Sequence, residues 1–248
     1  MIRVENLHKS LGGKRIIHDV NLEIHDAEIF AIIGRSGSGK TVLMKHLIGL
    51  HTPDEGRVLI DGDDLFSASH QELQKMRRRF GVLFQRGAIL DYMSVFENTA
   101  FPLRMLTDRS ESEIARRVYE CLEMVELPDA SGKMPAQLSG GELKRVALAR
   151  AIVLEPEYLF YDEPNTGLDP ETANTIDDLI VRTARTLSIT SVVVTHNMHT
   201  VLTISDRVGF LHDGTMRFIG TVREMRTCPD EELRGFIKAN EYKIEGEP

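Results

Sequence analysis

The sequence predicts an α/β fold: a mostly parallel sheet covered by helices on both faces, with an antiparallel β edge subdomain near the amino terminus and an inserted α-helical subdomain. Three observations predict it. Short apolar runs at Ile29–Ile33, Tyr158–Tyr161 and Ser191–Val194 alternate with segments of helical periodicity. Residues 1 to 28 instead read as short strands, Ile2-Arg3-Val4 and Val20-Asn21-Leu22-Glu23-Ile24, with a turn at Gly12-Gly13. From about residue 86 to 153 the strand patterns give way to helices. The expected division is a core of residues 1–85 and 154–228, a helical insertion over 86–153 and a tail over 229–248.

Taken in order, Ile29–Ile33 reads as a buried strand, and Val42–Ile48 as a helix with Leu43, Met44, Leu47 and Ile48 as its apolar residues. Pro53-Asp54-Glu55-Gly56 is a turn, Arg57–Ile60 a strand and Asp61-Gly62 another turn. The next strand is Arg79–Phe84, and Arg77-Arg78-Arg79 reads as a solvated helix end before it. Ser110-x-x-Glu113 and Ser139-x-x-Glu142 are capping boxes, in which each side chain satisfies a free N–H of the other residue. They open helices bearing Ile114, Val118, Cys121, Leu122 and Val125, and Leu143, Val146, Ala147 and Ile152. Ile176, Leu179, Ile180, Ala184 and Leu187 mark a further helix, and Asp213-Gly214 predicts a hairpin. The tail after Pro229 is expected to be loosely ordered.

Composition bounds the function. The 248 residues suffice for a full core, with 42 % hydrophobic and 27 % charged residues. A formal charge of −8 argues against a broad nucleic-acid surface. Cys121 and Cys228 lack metal-site spacing and read as incidental thiols. No apolar run approaches the roughly 18 residues of a membrane span, and the amino terminus lacks a secretory layout. The expectation is a cytosolic chain free to dock on a membrane partner.

The chemistry begins at Gly34-Arg35-Ser36-Gly37-Ser38-Gly39-Lys40-Thr41, which fills every fixed position of the phosphate-binding loop pattern between a strand and a helix. Glycines let backbone N–H groups turn inward and approach phosphate oxygens, and the helix behind aims its positive end at the same anion. Lys40 is placed to reach the β- and γ-phosphates of a nucleotide, and the Thr41 hydroxyl to ligate Mg²⁺. Tyr158–Tyr161 then runs into Asp162-Glu163. A buried strand ending so puts Asp162 where it can hold the metal and Glu163 where it can polarise an attacking water. Leu138-Ser139-Gly140-Gly141-Glu142 follows a different logic: glycines in a first helical turn cost about 1 kcal/mol each relative to alanine, which favours a second anion-approach surface.

With these motifs together the sequence resembles the nucleotide-binding subunits of ABC transporters, whose signature is matched by Leu138–Glu142 and whose motif order runs through residues 1 to 225. The resemblance implies a P-loop (RecA-like) core, ATP with Mg²⁺, and hydrolysis of ATP to ADP and phosphate. It implies that Gln85 lines the metal and the attacking water, that Asp169 of Gly167-Leu168-Asp169 contacts a second subunit, and that His196 reaches the γ-phosphate. Ser139, Gly140 and Gly141 of one copy would close on the ATP of another, so the resemblance implies a homodimer with shared sites. One departure stands out: the family usually stacks adenine on an aromatic residue near Leu11, yet none precedes Phe30. Leu11 or an arginine such as Arg15 is left to meet the base, with weaker discrimination against GTP.

Arg86-Gly87-Ala88-Ile89-Leu90-Asp91, with Val95–Asn98 and Phe101-Pro102-Leu103, resembles the ATPase of the mammalian-cell-entry systems that maintain lipid asymmetry. That branch implies phospholipid transport through a permease at the cytoplasmic face of the inner membrane, with a lipid-binding mammalian-cell-entry protein and a small cytosolic regulator. The alternatives are an importer ATPase for another small solute, or a soluble ATPase of this family acting without transport.

Overall fold

The structure, a computed structural model, describes residues 1–85 and 87–245; Arg86 of the lipid-branch run and residues 246–248 of the tail lie outside it. In chain order it holds β1 (Ile2–Leu11), β2 (Lys14–Ile24), β3 (Ile29–Ile33), α1 (Lys40–Leu47), β4 (Glu55–Ile60), β5 (Asp63–Asp64) and α2 (His70–Arg78). There follow β6 (Phe80–Leu83), α3 (Val95–Leu106), α4 (Glu111–Met124), α5 (Gly140–Ile152), β7 (Tyr158–Asp162) and α6 (Pro170–Leu187). The chain closes with β8 (Thr190–Thr195), α7 (Met198–Ile204), β9 (Arg207–His212), β10 (Thr215–Thr221), α8 (Val222–Thr227) and α9 (Glu231–Glu245). Two compact units result, Met1–Arg77 with Thr190 onward, and Arg78–Ile189.

The first unit carries the antiparallel edge sheet, ordered β2-β1-β4-β5. Its alternation buries Ile2, Val4 and Leu7 of β1 beside their cross-strand partners Ile24, Leu22 and Val20 of β2. Both strands run longer than their sequence patterns predict. The register shifts after Val4, and Asn6 and Asp19 adopt positive φ of 47° and 44° with Asn6 Nδ2 donating to Asp19 Oδ1 at 3.0 Å. Such bulges interrupt the period-two pattern, so strands continuing through them look short in sequence.

In the second sheet of this unit β3 lies parallel between β8 and β9, and β10 returns antiparallel through Asp213-Gly214. All five residues of β3 are buried, as a central strand covered on both faces requires. Ala31, Ile33, Val208 and Phe210 of this sheet pack with Met198, Val201 and Met225 of α7 and α8, and with Leu233, Phe236 and Ile237 of α9. That last helix replaces the loose tail expected after Pro229. Asp230 accepts the Leu233 N–H at 2.9 Å and both Arg217 donors at 2.9 and 2.8 Å, while Phe236 meets Phe210 at 5.4 Å between ring centroids. Leu233, Phe236 and Ile237 recur at helical spacing and bury one face of this helix, a pattern that overall composition cannot reveal.

The second unit pairs β6 with β7 in parallel, Phe80 opposite Tyr158 through Leu83 opposite Tyr161. Here α5 packs on α3, α4, α6 and β6, so closely that a Cβ on Gly81 would strike the Ala151 carbonyl. These two strands and α6 therefore group with the helices, whereas the sequence division places them with the core. Both expected capping boxes form, at Ser110 and Ser139, and a third at Ser94 opens α3, a helix the sequence reading passed over.

Candidate functional site

In the first unit the phosphate loop starts where β3 ends. Ile33 pairs with Thr195 of β8, so Gly34 and His196 leave neighbouring parallel strands at the same edge. His196 is exposed there, just before Asn197 caps α7. A Cβ on Gly34 would run into the Leu211 carbonyl oxygen and stand 2.7 Å from Ser38 Oγ, so only glycine fits. The turn closes with Ser38 N–H to Arg35 O at 3.1 Å and is pinned by Gly214 N–H to Ser38 O at 3.1 Å. Gly39, with φ of 105°, heads α1, which has neither a side-chain cap nor an acidic residue in its first turn. Glycine at the N-cap brings no side-chain acceptor to this helix start, whose positive end favours an anion. Lys40 folds back over the loop, its buried Nζ donating to Gly34 O at 2.7 Å and Arg35 O at 3.1 Å. Ser38 Oγ is buried with no hydrogen-bond partner among the described residues. Glycine-only space, an orphaned hydroxyl and a lysine across the loop together suit a phosphate group. Arg35, Ser36, Gly37 and Thr41 are exposed around it.

Leu11 and Arg15 lie on one hairpin of this unit, where Ser10 opposes Arg15 and Leu11 opposes Lys14; both are exposed.

In the second unit the Leu83–Tyr161 pairing brings Gln85 and Asp162-Glu163 to one edge. Asp162 ends β7 and is only 8 % exposed. Glu163 follows with φ of 50°, a left-handed conformation unusual outside glycine and often found at functional sites. Thr166 Oγ1 donates to its carboxylate at 3.3 Å.

Ser139 and Asp169 head neighbouring helices. Ser139 Oγ accepts the Glu142 N–H at 3.2 Å and Glu142 accepts the Ser139 N–H at 2.8 Å, which holds the Glu142 carboxyl below its ordinary pKa. Asp169 accepts from Thr172 N–H at 3.0 Å and Thr172 Oγ1 at 2.6 Å, with the same effect on its carboxyl. The two glycines between them differ in purpose. A Cβ on Gly141 would strike the Thr172 methyl, so that glycine serves the packing of α5 on α6; Gly140 is exposed, with Leu168 at 3.6 Å the sole neighbour a Cβ would meet.

Three residues hold the loop after β6; the sequence reading quoted Asn98 only within the lipid-branch run and passed over Lys144 and Arg150. Asn98 of α3, fully buried, donates to the carbonyls of Leu90, Met93 and Ser94 at 3.0, 2.9 and 3.1 Å and accepts the Leu90 N–H at 2.9 Å. From α5, Arg150 donates to Gly87 O at 2.6 Å and Ala88 O at 2.8 Å, and Lys144 Nζ donates to Gln85 O. Ser94-x-x-Glu97, a third capping-box spacing, is the sequence signal that locates α3 and so Asn98.

The sequence profile described as ABC transporter matches residues 17–166, well over half of the chain. The chain belongs to the ABC transporter family. This cassette is 41 % identical over 236 residues to the probable ribonucleotide transport ATP-binding protein mkl of Mycobacterium leprae, covering 95 % of the cassette but 68 % of that relative. It is 40 % identical over 238 residues to the intermembrane phospholipid transport system ATP-binding protein MlaF of Haemophilus influenzae, covering 96 % and 90 %. Over 251 residues it is 39 % identical to the methionine import ATP-binding protein MetN of Caulobacter vibrioides, covering 100 % and 75 %. Among solved structures it matches the dimeric post-hydrolysis state of the cassette MJ0796 bound to ADP and Pi, with a TM-score of 0.81, 32 % identity and coverage of 90 % and 99 %. The cassette is thus an ABC ATPase with the P-loop fold of its relatives. Among the described residues no helix is long and apolar enough to cross a membrane.

Proposed function

We propose that two copies of this cassette hydrolyse ATP at shared sites and thereby drive phospholipid transport through a permease at the cytoplasmic face of the inner membrane. Lys40 and the loop N–H groups of residues 34–41 bind the β- and γ-phosphates, and Ser139, Gly140, Gly141 and Asp169 complete the site from the second copy. Glu163 takes the proton of the attacking water, and His196 steadies the γ-phosphate. Thr41, Gln85 and Asp162 offer oxygen donors of the hard kind that Mg²⁺ prefers, and among the described residues no cluster of three His, Cys, Asp or Glu forms a cage for another metal. That ion would neutralise charge on the phosphates.

The observation that carries the lipid reading is coverage: at nearly equal identity the chain spans 90 % of the MlaF relative, against 75 % and 68 % of the MetN and mkl relatives. A permease partner is supported by Tyr92, Phe101, Met105 and Tyr119, large apolar side chains left exposed on α3, α4 and the loop before α3. A lipid-binding mammalian-cell-entry protein and a small cytosolic regulator belong to the same reading. The second reading, an importer ATPase for a small solute, is favoured by 39 % identity to MetN over the whole chain.

The test is purification from detergent-solubilised membranes with whatever permease accompanies the chain, followed by ATP turnover with added phospholipid or solute. Stimulation by phospholipid supports the lipid reading, and stimulation by a small solute replaces it. Recovery without any membrane partner overturns transport. For the hydrolytic assignment, Glu163→Gln should retain ATP binding and lose about 10²–10⁴-fold in turnover; ordinary turnover would remove Glu163 from its role.

A further inference from the structure

Lys144 lies one turn inside α5 from the Ser139–Gly141 stretch and is only 7 % exposed. Its Nζ donates to the Gln85 carbonyl oxygen. Among the described residues, the charges that act on it are the Asp162 and Glu163 carboxylates at the end of β7, which favour its ammonium form. Burial acts more strongly in the opposite sense and leaves the amine below the ordinary lysine range. Packing alone gives no reason for this residue, because methionine would fill similar space without burying a charge. Arg150 makes the contrast: it holds Gly87 and Ala88, and burial is what acts on its guanidinium.

We propose that Lys144 is a positioning residue for hydrolysis, its ammonium tying the Gln85 main chain to the helix headed by Ser139, so that the two shift as one piece in the field of the Asp162 and Glu163 carboxylates. The inference rests on the roles proposed above for Gln85, Glu163 and Ser139. Its consequence is that closure at the start of α5 is carried to the residues that handle water through a charge, and neutral side chains of similar bulk do not carry it.

The experiment uses the full chain with Lys144→Met, Lys144→Gln, Lys144→Arg and Glu163→Gln, measuring ATP affinity, KM, kcat and the thermal midpoint. The Met and Gln variants should keep ATP affinity and KM within about twofold and lose about 10- to 100-fold in kcat, while Arg should recover most of that loss. The Gln variant keeps a donor for the Gln85 carbonyl without the charge, so Gln against Arg decides the matter even if Met fails to fold. A packing role would instead lower the midpoint and change KM with kcat, and would favour Met over Arg; either pattern overturns the inference. Should Glu163→Gln be inert and Lys144→Gln turn over like the parent, this inference alone falls. Should Glu163→Gln turn over normally, the underlying assignment of the site falls first.

Discussion

Two loops leave parallel strands in this molecule and are held in opposite ways. The phosphate loop after β3 is closed mainly by its own parts, a turn from Ser38 to Arg35 and Lys40 folded onto the carbonyls of Gly34 and Arg35, with lesser ties outside it from Gly214 N–H to Ser38 O and from Arg35 to Glu232 at 3.8 Å. The loop after β6 takes its partners from elsewhere, Asn98 from α3 and Lys144 and Arg150 from α5. A loop closed mainly from within depends less on its surroundings, which suits a fixed anion cradle. A loop held by distant side chains follows the helices that hold it, which suits a part that must report movement.

The largest expected effect tests the independence of the first loop. Phe236→Ala in α9 removes a buried ring packed against Phe210 of β9 and should cost about 3–5 kcal/mol in denaturant unfolding. Nucleotide affinity of the folded fraction should stay unchanged; a parallel loss of affinity would mean that the loop depends on its backing helix. Gly34→Ala strikes the loop itself. Its methyl meets a main-chain carbonyl that cannot move aside cheaply, so about 1–3 kcal/mol of overpacking is expected, seen as roughly a tenfold or larger loss of ATP affinity.

The same contrast decides what could be read from sequence. The phosphate loop was legible because all its parts are contiguous: Gly34 through Thr41, with Ile29–Ile33 before and a helix after. The hairpin at Asp213-Gly214 and the capping boxes at Ser110 and Ser139 were legible for the same reason. What failed was non-local. Asn98 lies between Glu97 and Thr99 and reads as one more polar helix residue until α3 folds against its own preceding loop, and Lys144 and Arg150 look like solvated helix charges until β6 is beside α5. Gly141 was read as making room for an anion, and the room it makes is for Thr172, thirty-odd residues on. The strands β1 and β2 were cut short by bulges at Asn6 and Asp19, and α9 was missed because the tail was judged by its charge and not by the helical spacing of Leu233, Phe236 and Ile237.

A smaller effect sharpens the account of the second loop. Asn98→Ala leaves three carbonyls and the Leu90 N–H without this side chain, at about 1–3 kcal/mol. Hydrogen exchange should accelerate over residues 87–94 while protection at residues 34–40 stays as before. Equal acceleration in both loops would erase the distinction between them.

The smallest effect is one of pH. Glu97, Glu113 and Glu142 each pair with a serine in a capping box at the start of α3, α4 and α5, and each carboxyl lies below its ordinary value of 4.5 because of bonds from that serine, the hydroxyl first for Glu113 and the main-chain N–H first for Glu97 and Glu142. A carboxyl lowered on folding stabilises the folded state above the unfolded pKa, and that contribution drains away as pH falls through the lower, folded pKa. The window therefore opens near pH 4.5 and extends downward. The helix behind the phosphate loop has no such glutamate, since Gly39 caps α1 without a side chain. Amide exchange followed from pH 6 to about 3, corrected for intrinsic rates, should show the first turns of α3, α4 and α5 fraying while the start of α1 keeps its protection. These caps sit at the surface, so the change is modest and screened by salt. Its value lies in its location: fraying confined to the helices that bear Asn98 and Lys144 would loosen the second loop and leave the first intact, and fraying at α1 instead would show that the phosphate loop is not self-held.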